Sequence, residues 1–173
     1  MKKVVIIAAI MIFAAAGTSA LAQTPTYIGA QKCAMCHKSE KSGQQFPKWD
    51  ASKHSKSFAA LSSPQAADAA KALGVANPAS DAKCLKCHAP LADKVAELKT
   101  DGVGCEVCHG PGSDYKSMAV MKDKSEAAKK GLKLYASADA IKALCLTCHE
   151  SAHNKTFDFA ASWEKIKHAV PGK

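Results

Sequence analysis

A mainly α-helical fold with long loops and little or no β-sheet is what the sequence predicts, on three observations. No stretch alternates apolar and polar residues with period two over a strand's length. Apolar residues instead recur three or four apart in several segments, and each segment ends at Gly, Asn or Pro. All eight cysteines fall into four copies of one short pattern whose spacing suits a helical turn. Large side chains are scarce: much of the 47% apolar content is Ala or lies in the first 22 residues, and aromatics are 6%. A chain so composed has difficulty filling a core by itself.

Residues 1–22 have a basic start (Lys2, Lys3), an apolar middle from Val4 to Ala16 and the small-residue finish Ala20-Leu21-Ala22. This reads as an export signal cleaved after Ala22. Its apolar run is shorter than the ~20 residues that span a bilayer, so no stable membrane insertion is expected after cleavage. The expected mature chain, 23–173, is about 151 residues and of single-domain length. Taking Lys2 and Lys3 from the 24 basic residues leaves 22 against 15 acids, a net charge of +7 carried by Lys alone. Periplasmic or secreted residence and the lack of any supporting motif exclude nucleic-acid binding.

Each cysteine pair is followed at once by His: Cys33, Cys36 and His37; Cys84, Cys87 and His88; Cys105, Cys108 and His109; Cys145, Cys148 and His149. C-x-x-C-H is the attachment signature of c-type haem. Thiols at i and i+3 reach the two vinyl groups of one porphyrin, and the adjacent His supplies the proximal iron ligand. A disulfide framework explains neither the fixed pairs nor the four histidines, and zinc sites use Cys pairs two at a time. Four c-type haems are therefore expected, about one per 38 residues, with the porphyrins supplying the missing apolar volume. Their propionates bring the idealised charge to about +3 oxidised and about −1 reduced.

Between the first two motifs, residues 38–83 predict a helix, a loop and a second helix. Pro47 suits a first helical turn, and Phe46, Asp50, His54, Phe58 and Leu61 lie along one face. Ser62-Ser63-Pro64 ends that helix and opens an Ala-rich one, which Gly74 and Asn77-Pro78 stop. Only sixteen residues separate His88 from Cys105, which places the second and third haems close together. Gly102, Gly104 and Gly110-Pro111-Gly112 keep backbone bulk small around the third. Residues 114–135 and 156–169 predict two more helices, the latter with Thr156 as N-cap.

Beyond the four proximal histidines the chain has His54, His153 and His168, three spare imidazoles for four irons. His54 shares a face with Phe58 and Leu61 and points inward. His153, four residues after His149 and on the same helical face, cannot clamp that iron from the opposite side and would serve another haem. Met118 and Met121 follow the third motif three residues apart; they either pack against a porphyrin or, with Met121 ahead, provide a distal thioether. A five-coordinate iron, for example on His88, is the remaining arrangement.

With these residues in view, the chain resembles the tetrahaem cytochrome c-554 family, through "CAMCHKSEKSGQQFPKWDASKHSKSFAAL", "GVGCEVCHGPG" and "TFDFAASWEKIKH". The resemblance implies a mostly helical fold with haems stacked in close pairs, and electron transfer in the periplasm between a donor and an acceptor redox protein. It marks His54 and His168 as distal ligands, favouring His54 for the third haem and His168 for the fourth. It departs after "CHGPG", where relatives can carry a distal His and this chain has only Met118 and Met121. An electron carrier with no catalytic residue is the expectation. The alternatives are a redox enzyme acting on a small nitrogen oxide at one open haem, or a self-associating subunit of an extracellular haem filament, in which a neighbour's His completes an iron.

Overall fold

A computed structural model describes residues 24–150 and 156–168. The expected export signal and His153 lie outside the described residues. Within them the chain is helical, with no strand, as expected. The helices are α1 (Ala30–His37), α2 (Gln45–Asp50), α3 (Pro64–Ala72), α4 (Ala82–His88), α5 (Cys105–His109), α6 (Met118–Met121), α7 (Lys124–Lys129), α8 (Ala138–His149) and α9 (Phe159–Ile166). None is long and apolar enough to cross a membrane.

All four C-x-x-C-H motifs sit at the C-terminal end of a helix, in α1, α4, α5 and α8, and each proximal His is that helix's last residue. The turn that carries a motif holds its two thiols on one side, because residues three apart are neighbours on a helix surface. Short polar side chains start the helices: Ser63 caps α3, Asp81 α4, Ser117 α6, Asp123 α7, Ser137 α8 and Asp158 α9, each accepting a first-turn N–H. The cap of α9 is thus Asp158 rather than Thr156, because the Asp158 carboxylate reaches the Ala161 N–H at 3.1 Å.

The helix expected across Phe46 to Leu61 stops at Asp50 and resumes only as a 3₁₀ turn over Ala59–Ser62. The serines of the interval take backbone groups a helix would have used. Ser55 donates to the carbonyls of Asp50 and Ser52, Ser52 accepts the His54 N–H, and Ser57 donates to the His54 carbonyl. Residues 114–135 likewise divide, at Lys122 and Asp123, into α6 and α7. The Ala-rich α3 begins and ends as expected, with Pro64 at its first position and Gly74 just past its end at φ +65°.

Helix α1 packs on α2 and α5, α4 on α8, and α6 on α7. Among the described residues the buried apolar side chains are Ala30, Ala34, Leu61, Ala70, Val75, Ala89, Tyr115 and Ala127. Only three of these exceed Ala in size, so the polypeptide builds little core of its own.

Candidate haem-binding site

The closest packing of the motif helices joins the attachment sites two by two, while Cys108 of the third motif also lies near Cys145 and Cys148 of the fourth. Contact of α1 with α5 sets the Cys33 thiol beside Cys105, close enough for each to shift the other's titration. Contact of α4 with α8 sets Cys87 beside Cys148. The first motif is therefore partnered with the third and the second with the fourth. The close pair suggested by the short interval between His88 and Cys105 is not a helix pair of this kind: residues Ala96–Asp101 turn as a 3₁₀ segment and Gly102, at φ +61°, redirects the chain.

Cys36 departs from the setting expected of a thiol that binds a haem in the core. It is exposed, whereas Cys33, Cys84, Cys87, Cys105, Cys108, Cys145 and Cys148 are all half-buried. The reason lies in the orientation of α1, which turns Ala30 and Ala34 inward. At 100° per residue Cys36 stands about 160° round the helix from Ala34, on the side away from the packed face. Its neighbour Met35 is 74% exposed on the same outer turn. The polypeptide thus encloses one thiol of the first motif, Cys33, and leaves the other at the surface.

The histidines assemble across the helix pairs. His54 stands beside His149, with ring centres 6.1 Å apart, and His168 beside His109 at 5.7 Å. Two imidazoles binding one metal from opposite sides, each at about 2 Å, have their centres about 6 Å apart. The residues present therefore fit a haem iron between the members of each pair, with an attachment turn beneath His109 and His149. The pairing reverses the order favoured by resemblance: His54 faces the fourth motif's His and His168 the third's. Phe157 stacks on His149 at 4.4 Å.

Desolvation holds all four rings below the ordinary imidazole pKa, His54, His109 and His149 being half-buried and His168 an exposed residue whose ring is shielded by its neighbours. In His54 desolvation leads and His149 adds to it; in His149 desolvation lowers it; in His168 desolvation is joined by His37. His109 is driven down to about 4 by burial and then by His168 and His37. A neutral imidazole is the form that ligates iron.

No imidazole among the described residues faces His37 or His88 in this way. Their Nδ1 atoms are held, His37 by the Gln45 amide oxygen at 3.3 Å and His88 by the Ser57 carbonyl at 2.8 Å, contacts that orient a ligand ring. Of the two methionines in α6, Met118 is 67% exposed and Met121 half-buried. No group of three or more His, Cys, Asp or Glu among the described residues is arranged to hold a metal ion by itself. A haem iron, which takes four donors from its ring, requires no such group.

Several positioning residues escaped the sequence reading. Ser57 ties three parts of the site together: its hydroxyl bonds the His54 and His88 carbonyls and accepts the Val103 N–H. Trp49 donates from Nε1 to the Val103 carbonyl at 2.9 Å, anchoring α2 to the approach to α5. Behind His109, Tyr135 donates to the Cys108 carbonyl and Tyr115 to those of His109 and Gly110, so the open end of α5 is closed by phenols. The run Ser52–Ser57, with three serines around His54, was the legible signal for the first of these.

The comparisons with known proteins agree with this chemistry. Residues 32–110, which include the first three motifs, match the family model described as cytochrome c554 and c-prime. Over 122 residues the chain is 30% identical to cytochrome c-554 of Nitrosomonas europaea, a stretch that takes in 64% of this chain and 49% of that protein. The chain thus spans about half the length of that curated relative. No solved structure matches it. Together the matches show a chain similar to cytochrome c554 and c-prime across its first three motifs, and to cytochrome c-554 over about two thirds of its own length.

Proposed function

We propose that the chain is an exported tetrahaem c-type cytochrome, periplasmic or secreted, that passes electrons between a donor and an acceptor redox protein. The observation that carries this reading is the pair of facing imidazoles, His54 with His149 and His168 with His109, each pair spaced for one iron. Cys33 with Cys36, Cys84 with Cys87, Cys105 with Cys108 and Cys145 with Cys148 hold the four haems, and His37, His88, His109 and His149 ligate them from the attachment side. Cys36, exposed on the outer side of its helix, would hold the first haem within reach of a redox partner. Haem iron supplies reversible one-electron chemistry when bound. The protein's part is to fill both axial positions at the third and fourth sites, which leaves no room for substrate there, and to bring attachment turns together in pairs.

The test is intact-mass measurement and mediated redox titration of protein matured in a host competent for c-type haem. Four haem masses and four reversible one-electron steps are expected. Three haems or fewer would overturn the count, and catalytic consumption of a small nitrogen oxide at rates matching electron delivery would overturn the carrier role.

A second reading, reaction at one open haem, draws on the lack of a facing imidazole at His37 and His88 among the described residues. Carbon monoxide binding to one ferrous haem supports it. A sulfur-to-iron charge-transfer band lost in Met121→Ala would instead assign the distal position to that thioether.

A further inference from the structure

Glu106 is the second residue of the third C-x-x-C-H motif, and its side chain is 2% exposed, the largest fully buried one among the described residues. Its carboxylate is surrounded by backbone donors. Oε1 accepts the N–H of Gly112 at 2.6 Å, Oε2 that of Gly29 at 2.7 Å, and both oxygens that of Ile28 at 3.0 Å. Every one of these contacts is donation toward oxygen, the arrangement that suits an acceptor-only, ionised carboxylate. Ile28 and Gly29 are the approach and N-cap of α1, and the next N–H, that of Ala30, goes to Asp101 at 2.8 Å. Two carboxylates therefore seat the start of the first motif's helix, and one of them grows from the third motif itself. The backbone is shaped to allow it: Gly29 has φ +86°, and a Cβ on Gly112 would stand 3.0 Å from Glu106 Oε1 and from Ile28 Cδ1.

We propose that Glu106 is a positioning residue that sets the first haem against the third and lowers the reduction potential of that pair. The clamp fixes α1 on α5, and so fixes the two attachment turns relative to each other. A buried negative charge in the motif that would hold one iron, and against the helix that would hold another, would favour the ferric state, which carries one more positive charge than the ferrous, and low local dielectric would strengthen the effect. The other pair, on α4 and α8, has no such group within its motifs. This inference rests on the tetrahaem reading.

The experiment compares the native holoprotein with Glu106→Gln, each first checked for haem content by intact mass. A native chain without haem overturns the tetrahaem reading; a native chain with four lets the inference be judged separately. In Glu106→Gln two of the four redox equilibria should shift toward the ferrous form by about tenfold, which is about 59 mV for one electron. The excitonic couplet of stacked haems in Soret circular dichroism should weaken. Unchanged potentials, or equal shifts in all four, overturn the proposal. Where Glu106→Gln does not acquire four haems, Gly112→Ala, which presses on the same carboxylate, receives the same two measurements. A weakened couplet with shifts confined to two haems then supports the clamp, and native values overturn it.

Discussion

His54 and His168 are each near one proximal ring, so their roles separate cleanly by substitution. His54→Ala should convert the haem on His149 from low to high spin and leave the haem on His109 unaltered; His168→Ala should do the reverse. Site-resolved electron paramagnetic resonance checks both, and two variants with native spectra would remove these residues from ligation. The desolvated rings also give a direction in pH. His109 has a folded-state pKa near 4 against an ordinary value near 6.5, so between those values the unfolded chain binds the extra proton. Its contribution to stability is complete above about pH 6.5 and is lost as pH falls toward 4, with His54, His149 and His168 shifted in the same direction. Iron takes the same nitrogens and holds them unprotonated still more firmly, so in the holoprotein the loss comes only as protons displace iron: thermal midpoints measured stepwise downward from about pH 7 should fall together with the low-spin haem signal.

At the level of elements, the segment from α2 to α5 is held by contacts that cross the chain rather than by helical continuity. The His54 carbonyl accepts the Val103 N–H at 3.0 Å instead of continuing a helix, and Ser57 binds both sides of the crossing. Gly102 lies where they meet: a Cβ there would be 2.5 Å from Ser57 Oγ and 2.6 Å from the His54 carbonyl oxygen, at φ +61°. Gly102→Ala should therefore destabilise the protein by about 2 kcal/mol or more, since both the backbone conformation and the space are denied. Urea unfolding should show a lower midpoint, and the low-spin signal of the haem on His149 should broaden as His54 is displaced. Ser57→Ala, which keeps the backbone, should cost about 1 kcal/mol for its lost hydrogen bonds. A midpoint unchanged in Gly102→Ala would mean that the crossing relaxes without cost.

For the whole molecule the deciding fact is how little apolar side-chain volume is buried. Leu61, Val75 and Tyr115 are the large members of the buried apolar set among the described residues, while Met35 is 74% and Leu134 55% exposed. On the proposed reading, porphyrins supply the rest of the core. The apo-chain, produced without haem attachment, should lack a cooperative thermal transition and near-ultraviolet dichroism, whereas the holoprotein should show both. A cooperative melt of the apo-chain would show that the polypeptide is self-sufficient.

The sequence by itself carried the attachment chemistry now proposed, because C-x-x-C-H is a local device: two thiols and an imidazole on one turn need nothing from the rest of the chain. It also determined the helical character, the start of α3 at Ser63-Pro64 and the candidacy of His54 and His168, since caps, periodicity and residue type are local as well. The tertiary structure decided which motif meets which. The first pairs with the third and the second with the fourth, although the second and third are nearest in sequence, because α1 and α4 find partners across long intervals. The same packing enclosed Cys33 and left Cys36 outside, a difference that two thiols of one motif do not show in the sequence. It decided that His54 faces His149 and His168 faces His109, against the order that resemblance favoured. It broke the helix after Asp50, where serine hydroxyls and a distant N–H displaced the local ladder, and it turned Glu106 from one variable position of a motif into the buried acceptor that joins two of them. Each of these outcomes depends on groups far apart in sequence competing for the same hydrogen bonds and the same space, and such competition is settled only when the chain is folded.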